Sequence, residues 1–492
     1  MKQLHLKTIV LFLSLSTQQS LWADNLNVDD SFTIEGVVYK VTNVNPLEVQ
    51  VGDGAYQSPA IDKTAVAPIE IPSSIRGIDG NTYSVTKIGD YAFWDCGSLI
   101  SVVIPNSVKV IGDFAFSLSG INNIVIPEGV KTIPNGCFFY CEALKEVSLP
   151  NGINYIGSGA FQECPAIEEI NIPDNVTEIG DGAFRDCSAL KNIVIPSKVQ
   201  KIGYDAFRHC FSLSTISLPE KLVEIGNYAF YACNMETIEF GNQLRSIGSG
   251  AFYECRNLKS VIIPENVEEI GEYAFHMCEN LSKVHIGNGV SRIERSTFAA
   301  CVSLSELEIG SNVFFIGENA FGGCESLNTL ALPNSLFQIY DNAFYSCGLR
   351  TVIIPNSVGI INKKAFYQCK DLTSVYSLIQ QPFPIEESAF AYYNEEIASN
   401  SPIPATLYVP TGTKSLYEET KGWKNFKMIE EIKGENGDVN GDQITDAKDV
   451  VEVAKIIMNN NSDLNNYVID LNGDGIINIA DIIAMVNIIL AR

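Results

Sequence analysis

The sequence predicts a mainly-β repeat solenoid of short strands and turns, followed by a small α-helical module. Three observations lead there. First, a phenylalanine recurs as Phe93, Phe116, Phe138, Phe161, Phe184, Phe207, Phe230, Phe252, Phe275, Phe298, Phe321, Phe344 and Phe366, always 22 or 23 residues after the last. Second, apolar residues alternate within each interval and then stop at a proline or glycine. Third, the pattern ends near Gly434, where two acid-rich twelve-residue loops each precede an amphipathic run. A unit this short cannot bury its apolar face alone, so thirteen copies must stack.

The start reads as a secretory signal over residues 1–23. Lys2 and Lys7 flank a basic region, residues 9–15 are apolar, and Ala23 offers a small residue for cleavage. The expectation is an exported chain, secreted or at the cell surface, with no segment long and apolar enough to span a bilayer. The formal charge is −25, and loss of two lysines with the signal takes it to about −27. Nucleic acid and anionic membrane are therefore poor partners, while cations, basic proteins and neutral glycans remain. Residues 24–85 lack the repeat but hold strand-like runs such as 32–39, and are expected to form an amino-terminal β-rich cap, because an open solenoid needs its ends covered.

The repeats occupy residues 86–376. One copy shows the logic. Leu190, Ile193 and Ile195 alternate with Asn192 and Val194, which is strand periodicity. Pro196 has no amide hydrogen for a ladder and ends that strand. Val199 and Ile202 begin a second inward-facing segment; Gly203 follows, then Ala206 and Phe207 fill the interior, then Cys210. The Gly203 column also holds Pro134, Glu294, Tyr340 and Asn362, so glycine there serves packing and not a positive φ. The three 22-residue intervals lose a residue between the cysteine column and the next apolar one, at 119–121, 233–235 and 347–349. Such deletions concentrate in surface turns.

All thirteen cysteines fall in the repeats: twelve share one column from Cys96 to Cys369, Ser119 stands in once, and Cys137 takes the alanine column. An exported chain rich in cysteine invites a disulfide reading. Stacked neighbours, however, point the same way, which fits disulfide geometry badly. Buried free thiols acting as small hydrophobes are expected.

The pattern LxxVxIPxxVxxIGxxAFxxC resembles the BspA-type leucine-rich repeat of bacterial surface proteins. That resemblance implies binding to host matrix proteins or other cells. Residues 377–433, with the degenerate copy ending Ala389-Phe390 and then Leu407, Trp423, Phe426 and Ile429, are expected to close the solenoid.

Variation between copies is confined to two outward columns of the first strand. One runs Ser101, Asn123, Glu146, Glu169, Asn192, Thr215, Thr237, Ser260, Lys283, Glu306, Thr329, Thr351. The other runs Val103, Val125, Ser148, Asn171, Val194, Ser217, Glu239, Ile262, His285, Glu308, Ala331, Ile353. They form either a solvated sheet face or a protein- or glycan-binding surface with acidic patches at Glu146/Glu169 and Glu306/Glu308. A second candidate is the turn after each Phe, where Trp94, Phe139, Tyr231, Tyr253, Tyr345 and Tyr367 would stack on sugars or pack against adjacent turns.

Residues 434–492 form the last module. Asp438, Asn440, Asp442 and Asp449 stand at positions 1, 3, 5 and 12 of one loop, with the Ile444 carbonyl at 7; Asp470, Asn472, Asp474, Asp481 and Ile476 repeat the set. Oxygen donors at this spacing suit two Ca²⁺ ions. Amphipathic helices are expected over 449–458 and 481–490. Aspartate at position 12 and no preceding helix distinguish these loops from ordinary EF-hands. Together they resemble a type I dockerin module, which implies docking onto a cohesin-like module of another protein. Recognition in that family rests on loop positions 10 and 11, here Ala447/Lys448 and Ile479/Ala480. The alternative reading is thus a non-catalytic component of a cellulosome-like, polysaccharide-degrading assembly.

No histidine lies in a zinc spacing or nucleophile motif. Carboxylates are plentiful, but a paired-acid glycosidase needs a preorganised cleft that a regular solenoid does not offer. The chain is expected not to be an enzyme.

Overall fold

The computed structural model describes residues 25–66, 68–394, 399–432, 450 and 485. The expected signal segment and the two expected calcium loops, 438–449 and 470–481, with Ala447, Lys448, Ile479 and Ala480, lie outside the described residues. Val450 and Met485 are helical and Met485 is buried, at positions where the sequence expects the two post-loop helices. The described residues form a mainly-β repeat solenoid with almost no helix. Two compact units divide the chain, one ending at Gln243 and the other starting at Leu244.

In the first unit a sheet precedes the repeats. Strand Ser31–Ile34 pairs antiparallel with Val37–Val44, which pairs antiparallel with Leu47–Val51. Leu47–Val51 then pairs in parallel with Thr82–Ile88. That strand passes the ladder on: Lys87 and Ile88 align in parallel with Val110 and Ile111, the second strand of the first repeat. From there each turn carries two short strands in register with those of its neighbours. First strands pair as Asn123–Val125 with Glu146–Ser148 and as Asn192–Val194 with Thr215–Ser217. Second strands run in parallel from Thr132–Ile133 through Tyr155–Ile156, Glu178–Ile179 and Lys201–Ile202 to Glu224–Ile225. A shift of 23 residues, or 22 where a turn is shortened, puts like on like, so one apolar pattern builds the whole core.

The recurring phenylalanines are the centre of that core. From Phe93 to Phe230 successive rings stack 5.2–5.4 Å apart and within 12° of parallel, all fully buried. The spacing is near the ~4.8 Å between neighbouring strands, so one ring fits per turn without strain.

Around each ring the backbone does something the sequence did not announce. Asp205 and His209 hold φ of 53° and 60°, and the same two positions of nearly every turn are left-handed whether or not glycine fills them. The left-handed residues stand four apart, and every second amide from one to the other points along the stack. Asp205, Phe207 and His209 donate N–H to the carbonyls of Asn227, Ala229 and Tyr231 at 2.9, 2.7 and 2.9 Å. The intervening amides close tight turns, Arg208 to Asp205 at 3.0 Å and Cys210 to Phe207 at 3.2 Å. Left-handed backbone costs an L-residue roughly 1–2 kcal/mol. The ladder offsets it by leaving no amide unpaired in a dry interior.

Glycine in this column serves packing, as the sequence suggested, and at Gly203 the approach is close. Gly203 has no positive φ, yet a Cβ there would lie 2.7 Å from the Asp181 amide nitrogen and the Gly180 carbonyl carbon. The shortened turns correct an expectation in part. Asn234 is exposed, but Gly120 and Gly348 are half-buried, and a side chain on either would run into the carbonyl of Gly97 or Glu325. Shortening draws the chain against the preceding turn and not out into solvent.

The second unit repeats the scheme. First strands pair from Ser260–Ile263 through Lys283–Ile286 to Glu306–Glu308, and from Thr329–Ala331 through Thr351–Ile354 to Ser374–Ser377. Second strands pair from Arg292–Ile293 through Phe315–Ile316 and Gln338–Ile339 to Ile360–Ile361. Its phenylalanine stack runs from Phe252 to Phe366 and gains a fourteenth ring, Phe390, at 4.7 Å from Phe366. The degenerate copy thus keeps the interior. Beyond it, Thr406–Val409 and Met428–Glu431 extend the first-strand sheet. Helix Lys414–Glu419 and the 3-10 turn Trp423–Asn425 cover the end. Trp423 is fully buried beside Phe390 and donates its indole N–H to the Phe383 carbonyl at 3.0 Å.

Candidate interaction surface

All thirteen cysteines are buried free thiols. Their column also has a hydrogen-bonding role. In the first unit the thiols of Cys164, Cys187 and Cys210 donate to the carbonyls of Phe138, Phe161 and Phe184 at 3.0–3.2 Å. In the second, Cys278 reaches Phe252 at 3.2 Å and Cys369 reaches Phe344 at 3.1 Å. Cysteine suits the column because it is small, apolar and a weak donor. Burial pushes the Cys187 thiol up to about 12 and Cys141 to about 11, which suppresses the reactive thiolate. The column is therefore structural.

The outward columns of the first strands are where the sequence placed recognition, and the structure does turn them to solvent. In the first unit Glu146 aligns beside Asn123, and Glu169 bridges to Asn192. Val103, Val125 and Val194 stand exposed, the first two side by side in adjacent turns. Glu146 and Glu169 have no cation within 4 Å among the described residues, so neither carboxylate is tied up in an ion pair. Just outside the two columns, Glu168 and Lys191 pair at 2.6 Å; the hydrogen bond lowers the carboxyl and raises the ammonium from their ordinary values.

The second acidic patch differs. Glu306 lies 2.9 Å from Lys283, and Glu308 lies 2.7 Å from His285 Nδ1, each across one strand pair. Glu265 approaches the other side of His285 at 3.9 Å. Glu306/Glu308 is thus a mixed-charge surface, while Glu146/Glu169 is an acidic one without an ion pair.

The aromatics of the turn after each Phe mostly pack on their neighbours. Lys63 sits 3.9 Å above Trp94 and 2.7 Å from Asp95. Arg208 sits 4.9 Å from the Tyr231 ring. Tyr253 lies 4.8 Å from His276, and Tyr345 stacks on Tyr367 at 5.9 Å. His209 is tied to Asp186 at 2.8 Å, and burial lowers His276 below the ordinary histidine value. These contacts knit adjacent turns together and leave few ring faces free.

Sequence reading missed one surface. In the second unit the solvent side of the second strands carries Phe314, Phe315 and Phe337. The signal was present: the column of Phe314 and Phe337 holds Lys109, Lys131, Asn154, Thr177, Gln200, Val223 and Glu268 elsewhere, so the two phenylalanines stand out as its only aromatics once these copies are aligned. Among the described residues no group of three or more His, Cys, Asp or Glu is placed to hold a metal ion, and no helix is long and apolar enough to cross a membrane.

A model of the BspA type leucine rich repeat region matches residues 73–191, 177–305 and 291–407. Among solved structures, a leucine-rich repeat protein from Bacteroides ovatus is 29% identical with a TM-score of 0.58, covering 70% of this chain and 94% of its own. A leucine rich cell surface protein from Faecalibacterium prausnitzii is 26% identical with a TM-score of 0.44, covering 71% and 94%. A leucine rich repeat protein of T. pallidum is 35% identical with a TM-score of 0.30, covering 32% and 75%. No curated protein matches the chain.

Proposed function

Because the chain belongs to the BspA type leucine-rich repeat family, we propose that it is an exported surface protein that binds without catalysing. Its ligand is a protein or glycan of a host or neighbouring cell, met by the outward first-strand columns. One observation carries this reading. The inward positions repeat almost unchanged from turn to turn, while the in-register outward positions beside them differ in charge, size and polarity. A scaffold that holds its core fixed and varies its face is built for recognition. The Glu146/Glu169 patch, without an ion pair, favours a ligand with basic groups.

The carboxy-terminal module would hold two Ca²⁺ ions through Asp438, Asn440, Asp442 and Asp449 and through Asp470, Asn472, Asp474 and Asp481, with the Ile444 and Ile476 carbonyls completing each set. The donor set is all oxygen, which suits a hard cation, and two such loops 32 residues apart favour a dockerin-like attachment to a cohesin-like partner. Membership of a polysaccharide-degrading assembly is the second reading, and rests on those loops alone.

The test is capture of partners from surface and secreted proteins by the full chain, with calcium or with chelator. Capture that needs calcium and fails in Asp442→Ala/Asp474→Ala supports attachment through the module, and the partner's identity separates adhesion from assembly. Capture that ignores calcium but weakens in Glu146→Gln/Glu169→Gln supports the first-strand face. Capture under neither condition sinks both.

A further inference from the structure

We propose that the second-strand side of the carboxy-terminal unit is a docking site for a polypeptide segment carrying apolar side chains beside a basic residue, seated on Phe314, Phe337 and Ile360. The site goes beyond the function proposed above, since it lies on the other strand column and involves neither the acidic patches nor calcium.

The protein supplies its own control. In the first unit the two solvent-facing positions of each second strand hold Lys109/Val110, Lys131/Thr132, Asn154/Tyr155, Thr177/Glu178, Gln200/Lys201 and Val223/Glu224. Apolar members occur there singly, beside a polar one. In the second unit three successive turns each place a large apolar side chain here, as Phe314/Phe315, Phe337/Gln338 and Gly359/Ile360, and Phe314/Phe315 is apolar at both positions; no three successive turns of the first unit do so. The backbone ladder aligns them: Phe314 donates N–H to Ser291, Phe337 to Phe314, and Gly359 to Phe337, at 2.8, 3.0 and 2.9 Å. Phe314 is 43% exposed, Phe337 37% and Ile360 38%.

The patch is also built, and not merely left over. Phe314 and Phe337 stack at 5.3 Å, Phe315 meets Phe314 edge-on at 4.7 Å, and the Arg292 guanidinium lies 4.7 Å from the Phe315 ring. Gly359 is the floor beneath Phe337: a Cβ there would come within 2.7 Å of the ring. The rings are thus held in one arrangement before any partner arrives, which lowers the ordering cost of binding.

Several occupants fit badly. Sugar stacking needs a free ring face, and Phe337 is enclosed between Phe314 and Gly359, so it offers its rim. Nucleic acid and anionic lipid are repelled by a chain of charge −25, and so is a second copy. An apolar side chain of a polypeptide can seat on ring rims. The charge beside the patch selects which polypeptide. Arg292 is neutralised by Glu294 at 3.0 Å, whereas Glu269, on the strand contacting Arg292–Ile293, has no cation within 4 Å among the described residues. Two turns separate Glu269 from Phe315, or roughly 10 Å at the strand spacing. A segment with a lysine or arginine about that far from its apolar anchors fits both.

The experiment titrates the full chain into a fluorescently labelled nine-residue peptide of alternating Lys and Leu, and into its Glu/Leu counterpart. Binding of the Lys/Leu peptide is expected to weaken about tenfold or more in Phe314→Ser/Phe337→Ser and to stay within about threefold in Phe314→Leu/Phe337→Leu, which keeps the apolar rim. Glu269→Gln is expected to reduce the salt dependence of binding. Because the rings are surface residues, thermal melts of the variants serve to verify the fold. Equal binding to the wild type and the serine variant, or no binding to either, overturns the site. Equal binding of the Glu/Leu peptide overturns the charge selection. Self-association of the wild type that the serine variant abolishes would make a second copy the occupant and overturn the proposal as stated.

Discussion

On the strand Asn192–Val194, Ile193 is 3% exposed and its neighbour Val194 is 68% exposed. Both are β-branched and apolar, and strand propensity treats them alike. Yet Ile193 belongs to a column that accepts little but aliphatic residues, while Val194 shares its column with serine, asparagine, glutamate and histidine. The difference teaches how this molecule divides its work. Inward positions carry stability and are copied; outward positions carry whatever recognition there is and drift.

The sharpest way to break that comparison is to cut the interior. Phe184 lies between Phe161 and Phe207 at 5.3 Å on each side. Phe184→Ala should cost about 3–5 kcal/mol by urea denaturation, whereas Val194→Ala should stay within about 0.5 kcal/mol. Equal losses would show that the two sides are not energetically distinct.

Next comes the close approach between turns. Gly203→Val forces a side chain against the Gly180–Asp181 backbone and should cost about 1–3 kcal/mol. A neutral result would mean that neighbouring turns part as easily as they do where Pro134 or Glu294 fills this column.

The thiols test the interior by pH. Cys187→Ala removes the thiol that donates to the Phe161 carbonyl and should cost about 1 kcal/mol. In the intact protein the folded thiol is raised from the ordinary 9.0 to about 12. The unfolded chain therefore ionises first, and binds fewer protons than the native state across that window. Stability should be full below pH 9 and fall as pH rises toward 12, with the thiols acting together. Urea midpoints across that range would read it. A disulfide-trapping reagent should label no thiol in the native state and all thirteen after unfolding; ready labelling of the native protein would contradict the burial.

The smallest effect belongs outside. Glu306→Gln removes an exposed pair with Lys283 and should change stability by only about 0.2–1 kcal/mol. Its informative readout is ligand affinity, where an effect larger than on stability would mark the outward columns as functional.

Much of this was legible in advance. The Phe spacing gave the period, the alternation of Ile193 and Val194 gave the first strand, and the misfit of stacked side chains to disulfide geometry pointed to thiols. Other features were not. Nothing about Asp205 or His209 signals a left-handed backbone, since neither is glycine; the cross-turn ladder imposes that conformation by rewarding it with a hydrogen bond. Glu146 and Glu306 occupy the same column and read alike. Only the neighbours one turn away, Asn123 for one and Lys283 for the other, make the first an acidic patch and the second an ion pair.

By itself, then, the sequence determined the repeat, its inward columns and the family to which they belong, because burial of apolar surface obeys a local period that stacking merely multiplies. The tertiary structure alone decided which glycines have no room for a Cβ, where each thiol donates, which carboxylates are ion-paired, and how Phe314 and Phe337 come to share an exposed stack. Those properties arise between residues about 23 apart, where backbone contact and charge compensation depend on distances no local pattern encodes.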